Sequence, residues 1–190
     1  MNPNPLVRTV MAAALLVVPV SVQLALPEIA DSTGGHLTFA VSQLLGWLLI
    51  LSVARRLPAT AARRGRFGRR SVLFGLGCQV AFALIYAVTS LDAKPLEASF
   101  VLFLLGFLAI AIGGTTWGTS LVRVAERRTA GWGIIGVGVL GLLAMLVGGD
   151  PFHDVFLLAS YAAWVLVGHG VTRTAARRVD APVAVSETPL

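Results

Sequence analysis

The sequence predicts an all-α integral membrane protein of six transmembrane helices: a membrane domain at 1–172 and a polar tail at 173–190. Three observations predict it. Apolar residues make up 56% of the chain and charged residues 13%, with a mean hydropathy of +0.83, a balance that excludes a water-soluble domain of this size. The charges lie in clumps that leave six charge-free windows, at 9–27, 32–54, 71–91, 98–122, 129–149 and 155–172. Each has a length within the roughly 17 to 25 residues with which a helix crosses a hydrocarbon core about 30 Å thick. Finally, all fourteen Arg fall in alternate gaps between the windows, as a regular up-and-down threading requires.

Window 1 follows Arg8 and ends before Pro27; Pro19 within it lacks an N–H and should bend or loosen the helix near mid-membrane. Arg8, the apolar run and Ala30-Asp31-Ser32 also loosely match a secretory signal with a small-residue cleavage site. The length of the run, Pro19 and the regular charge pattern favour a retained helix. Window 2 closes before Pro58. Window 3 carries Cys78, the single cysteine, so neither an intrachain disulfide nor a Cys-based metal cluster is available. Pro95 opens window 4, and Asp150-Pro151 reads as an N-cap with proline at the first helical position of window 6.

The Arg-bearing side holds fourteen Arg against Glu126, Asp180 and Glu187, a net +11. Glu28, Asp31, Asp92, Glu97, Asp150 and Asp154 with Lys94 give the other side −5. Short loops rich in Lys and Arg stay cytoplasmic, so both termini are expected inside and the acidic loops outside. The pI of 11.0 therefore records membrane orientation and is no sign of nucleic-acid binding. An alanine-rich, nearly lysine-free chain with short loops is the composition expected in a bacterial plasma membrane.

Comparing windows reveals an ungapped match: His36-Leu37-Thr38-Phe39 with Gln43, Trp47 and Arg56 aligns on His153-Asp154-Val155-Phe156 with Ser160, Trp164 and Arg173. With Arg8-Thr9-Val10, Arg70-Ser71-Val72 and Arg128-Thr129-Ala130 opening the odd-numbered helices, the chain reads as three tandem αα-hairpins at 8–56, 70–123 and 128–173. Spacings of seven and eleven place His36, Gln43 and Trp47 on one helix stripe. If the two stripes faced each other, His36 and His153, with Asp150 and Asp154, would form an outer-face site for a transition metal or haem. The simpler reading is interfacial: His and Trp sit commonly at headgroup depth, and no cofactor is then expected.

Two G-x-G-x-x-G matches between Gly131 and Gly141 lie inside a membrane window and lack the βαβ context of a nucleotide site. Gly131, Gly138, Gly141 and Gly148, with Gly114 and Gly118, read as close-packing positions for another helix, within the chain or in a second copy. Arg55, Arg56, Arg63, Arg64, Arg66, Arg69 and Arg70 form a juxtamembrane cluster suited to anionic lipid headgroups or simply to fixing topology. Only Phe67 within it offers a surface for base stacking, so nucleic acid is not an expected partner. No Asp, Glu, Lys or Arg lies in any window, which leaves no intramembrane carboxylate relay. The leading expectation is a non-enzymatic accessory or partner-binding component in contact with lipid and associating with itself or with a membrane protein. The alternatives are a small-molecule transporter or channel running past Gln43, Gln79 and Ser160, and the metal- or haem-binding protein.

Overall fold

The computed structural model describes residues 4–26, 28, 32–89, 97–147 and 152–179. They form six helices long and apolar enough to span a membrane: α1 (Pro5–Ala25), α2 (Thr33–Ala54), α3 (Arg63–Thr89), α4 (Glu97–Val122), α5 (Arg128–Leu146) and α6 (Phe152–Val179). The chain is an all-α membrane-type fold, with no strand among the described residues. Four helices match their charge-free windows closely, because charge placement and spanning length set both. Two differ. Helix α3 starts at Arg63, two turns before its window, because Arg63 to Arg70 can extend a helix out of the bilayer with their guanidinium groups solvated. Helix α6 likewise runs past 172 to Val179, into the segment expected to be tail.

Helix ends carry the expected chemistry where they are described. Asn4 caps α1, accepting from Leu6 N at 3.0 Å, with Pro5 in the first turn. Ser32 caps α2 through Gly35 N at 3.0 Å. At the far end of α2, Arg69 folds back from α3, donating from Nε to Leu57 O at 2.9 Å and from Nη2 to Arg55 O at 3.2 Å. This supplies donors to two carbonyls of the turn that follows α2. A 3₁₀ turn at Ala125–Arg127 joins α4 to α5. Pro95, Asp150 and Pro151 lie outside the described residues.

Each helix packs on its neighbours in sequence, and α1 packs on α6, so the bundle is a closed ring with only a slight direct contact between α2 and α6. The seams are lined by glycine, since without a hydrophobic driving force in lipid helices associate through close contact. On the α3–α4 seam Gly68 faces Gly113 and Gly75 faces Gly106: a Cβ on Gly113 would lie 2.7 Å from Gly68 O, and one on Gly75 2.5 Å from Gly106 O. On α4–α5, Gly118 faces Gly131 and Gly114 faces Ile134 and Gly138. On α5–α6, Gly133 meets the Val167 backbone and Gly170 meets Ala130.

Large aromatic side chains fill the middle of the ring. Trp47, Trp117, Tyr161 and Trp164 are all fully buried, with Phe107 beside them. Trp47 packs edge-on against both Phe107 (6.0 Å) and Tyr161 (5.6 Å), joining α2, α4 and α6. Outward-facing residues such as Val18, Leu45, Phe100, Val101 and Leu166 are apolar too. Interior and exterior therefore differ in residue size and closeness of packing, and hardly in polarity.

Candidate functional site

The α1–α2 seam is closed at one end and open at the other. Toward the arginine-bearing end, Gly46 lies so near α1 that a Cβ there would sit 2.8 Å from Leu16 and 3.3 Å from Ala12 O, and Arg8 donates to Ser52 Oγ at 3.0 Å. Toward the other end the helices leave a cleft of about 540 Å³ whose walls include Ala14, Val18, Pro19 and Val22 of α1 and Gly34, Gly35 and Phe39 of α2. Two local features of the sequence account for it. Pro19 cannot donate to Leu15 O and removes one rung of the α1 ladder, although the helix continues through it. Gly34 and Gly35 present bare backbone, and a Cβ on Gly34 would have only Ser32 Oγ nearby, at 3.9 Å.

Among the described residues the walls carry no titratable group. Ser32 Oγ is committed to the α2 cap, and Thr38 Oγ1 donates to Gly34 O at 2.7 Å. With these two hydroxyls engaged within α2, Ser42 Oγ is the remaining hydroxyl of the lining, and the cleft presents mainly methyl and ring surface. Val18 and Val22 are exposed at its mouth, so it opens sideways, toward the medium that surrounds the bundle.

Phe39 connects the cleft to a run of aromatic rings. Phe39 packs on Tyr86 (5.8 Å), Tyr86 on Phe82 (5.8 Å), Phe82 on Phe103 (5.2 Å), Phe103 on Phe107 (4.8 Å) and Phe107 on Trp47. His36 joins this run, its Nδ1 2.9 Å from Tyr86 Oη and its ring edge-on to the tyrosine. The imidazole thus faces α3, although the sequence-based site required it to face α6. Asp150 lies outside the described residues, as do the side chains of His153 and Asp154. Among the described residues no group of three His, Cys, Asp or Glu gathers to hold a metal.

The polar residues of the supposed transport path have structural partners. Trp47 Nε1 donates to Gln43 Oε1 (3.0 Å), Gln79 Nε2 to Phe103 O (2.9 Å) and Ser160 Oγ to Val137 O (3.2 Å), the last two bonds crossing between helices. Gln43 Nε2 and Gln79 Oε1 remain buried without a partner among the described residues.

The glycine positions serve contacts within the chain. Gly114, Gly118, Gly131 and Gly138 occupy the α4–α5 seam, and Gly141 meets Phe107 and Ser160; Gly148 lies outside the described residues. These described glycines meet the chain's own helices, the first of the two packing roles expected of them. Of the arginine cluster, Arg69 is spent on the end of α2, and Arg66 donates to Ala61 O at 2.7 Å. Arg55, Arg56, Arg63, Arg64 and Arg70 are exposed. On α3, Arg63, Phe67, Arg70 and Phe74 follow one outward stripe, with both rings more than half exposed.

Sequence reasoning did not find the cleft or Tyr86. Pro19 opposite Gly34-Gly35 was the available signal, since a missing rung facing two missing side chains weakens one stretch of a seam. Comparison of the chain with protein-family models, with curated proteins and with solved structures finds no match.

Proposed function

We propose that the protein is a non-enzymatic accessory component of the plasma membrane, and that its molecular act is to hold a lipid acyl chain in the cleft between α1 and α2. The observation that carries this reading is the cleft itself: about 540 Å³, mainly apolar, with no titratable group among its described walls and open sideways. Its volume is in the range of small-molecule sites, about 300 to 1,000 Å³. A helix about 10 Å across rising 1.5 Å per residue would fill it with roughly four residues, so a narrow flexible chain fits better than a partner helix. The transporter or channel reading draws on the unpartnered atoms of Gln43 and Gln79. The aromatic side chains packed across the ring stand against it.

Ala14 is exposed within the cleft, so Ala14→Trp should fill the space without disturbing a seam. Native mass spectrometry of protein released from phosphatidylcholine nanodiscs is expected to show a retained phospholipid on the wild type and on Val101→Trp, an exposed α4 position. Ala14→Trp should lose it. Equal retention by all three proteins would refute the reading.

The same proposal places both termini and the Arg55 to Arg70 segment in the cytoplasm, on the strength of the charge asymmetry. The exposed stripe of α3 then meets anionic headgroups, worth about 1 kcal/mol per basic residue near the surface. Cysteine labelling at Ala59 and Ala93 in a background lacking Cys78 should report opposite sides, Ala93 alone being accessible from outside. Labelling of both from one side would overturn the threading.

A further inference from the structure

At the arginine-bearing end, the beginning of α1, the segment that follows α2, the 3₁₀ turn and the last turns of α6 line a second, smaller cavity of about 170 Å³. Its polar lining consists of Arg56, Arg127 and Thr174; Pro5, Leu57, Pro58 and Val171 supply the apolar walls. Thr174 Oγ1 is occupied, lying 2.9 Å from both Glu126 O and Gly170 O. Neither guanidinium hydrogen-bonds to a described residue, and Arg127 Nε is buried with no partner among them. The carboxylate nearest in sequence does not serve it, because Glu126 lines a different cavity, with Arg128 and Arg173.

Two cations lining one small cavity repel each other, and a shielded guanidinium donor without an acceptor is costly. An anion removes both penalties. The space equals about five or six water volumes, enough for one tetrahedral oxyanion, and the planar donor fork of arginine matches phosphate geometry. The apolar walls shield Arg127 Nε from bulk water, while Arg56 lies at the exposed side of the cavity.

We infer that this cavity binds a phosphate group between Arg56 and Arg127, supplied either by the headgroup of a phospholipid or by a free phosphate ion. The site is separate from the acyl-chain cleft, at the opposite end of the α1–α2 hairpin, and does not depend on that reading. It gives the six-helix ring a clasp where α1, α2 and α6 meet, so occupancy should raise thermal stability.

The test uses the full chain, with thermal midpoints in detergent and lipid retention by native mass spectrometry. Three probes are compared: phosphatidylglycerol, phosphatidylcholine and inorganic phosphate. Phosphatidylglycerol is expected to raise the wild-type midpoint and to be retained about tenfold over phosphatidylcholine, the discrimination of one charge-assisted bond. Arg127→Gln and Arg56→Gln should each lose most of that preference, and Arg64→Gln, exposed on the opening turn of α3, should keep it. A midpoint raised by inorganic phosphate alone, and lost in the same two variants, assigns the site to the free ion. Identical responses of wild type, Arg127→Gln and Arg56→Gln to every probe overturn the proposal, as does an equal loss in Arg64→Gln. Because Arg56 is exposed and ties down no other element, its variant keeps the test decisive if Arg127→Gln fails to fold.

Discussion

Gly75→Ala and Gly113→Ala are expected to destabilise the bundle by about 1 to 3 kcal/mol each, the usual cost of forcing an extra methyl into a packed seam. The reason is what the new methyl meets. A Cβ on Gly75 would sit 2.5 Å from Gly106 O, and one on Gly113 2.7 Å from both Gly68 O and Val72 N. These obstacles are backbone atoms of a neighbouring helix, which cannot turn aside as a side chain can, so α3 and α4 must separate. Gly77 is the control, two residues along the same helix and with nothing within 4 Å of an added methyl. There alanine's better helix propensity should leave stability unchanged or raise it by up to about 1 kcal/mol. Thermal unfolding in detergent measures all three, and an equal effect at Gly75 and Gly77 would mean that the α3–α4 seam is not packed as described.

Trp47→Ala should cost more, about 3 to 5 kcal/mol, as for other large aromatic residues deleted from a core. Trp47 is 1% exposed and wedged between Phe107 and Tyr161, so its removal leaves a hole where three helices meet. It also strands Gln43, whose Oε1 accepts from Trp47 Nε1 and whose Nε2 is already buried without a partner among the described residues. Trp47→Phe separates the two contributions, since it keeps most of the ring and loses the donor. Gln43→Leu added to Trp47→Phe should then recover part of the loss, because removing both partners of a buried bond costs less than leaving one unsatisfied. Strict additivity of the two substitutions would show that the bond carries no energetic coupling.

Helix number and most helix ends were legible in the sequence because the bilayer sets them: a charge inside the hydrocarbon is expensive, so Arg8, Arg55, Arg123 and Arg128 stand at helix ends. The start of α3 was not legible by that rule, since the helix continues out of the apolar window among solvated arginines. The glycines of α4 and α5 were recognisable as packing positions, but their partners were not, because sequence spacing gives a face and not its neighbour. Gly68 with Gly75 and Gly106 with Gly113 were overlooked, although each pair is seven residues apart and so repeats on one face. His36 shows the same limit: its stripe was visible, but Tyr86 on another helix decides where the ring points. The acyl-chain cleft was hardest to foresee, since it arises where α1 and α2 fail to touch, and apolar residues facing a cleft look like those facing lipid.

The most direct test of the proposed function is photolabelling in nanodiscs, using a phospholipid with a diazirine in its acyl chain and mapping the adducts by peptide mass spectrometry. The account predicts adducts concentrated on Ala14, Val18, Val22 and Phe39, at several times the density found on other exposed apolar positions such as Val101, Leu104 and Leu142. Labelling spread evenly over all lipid-facing helices, with no excess between α1 and α2, would contradict it.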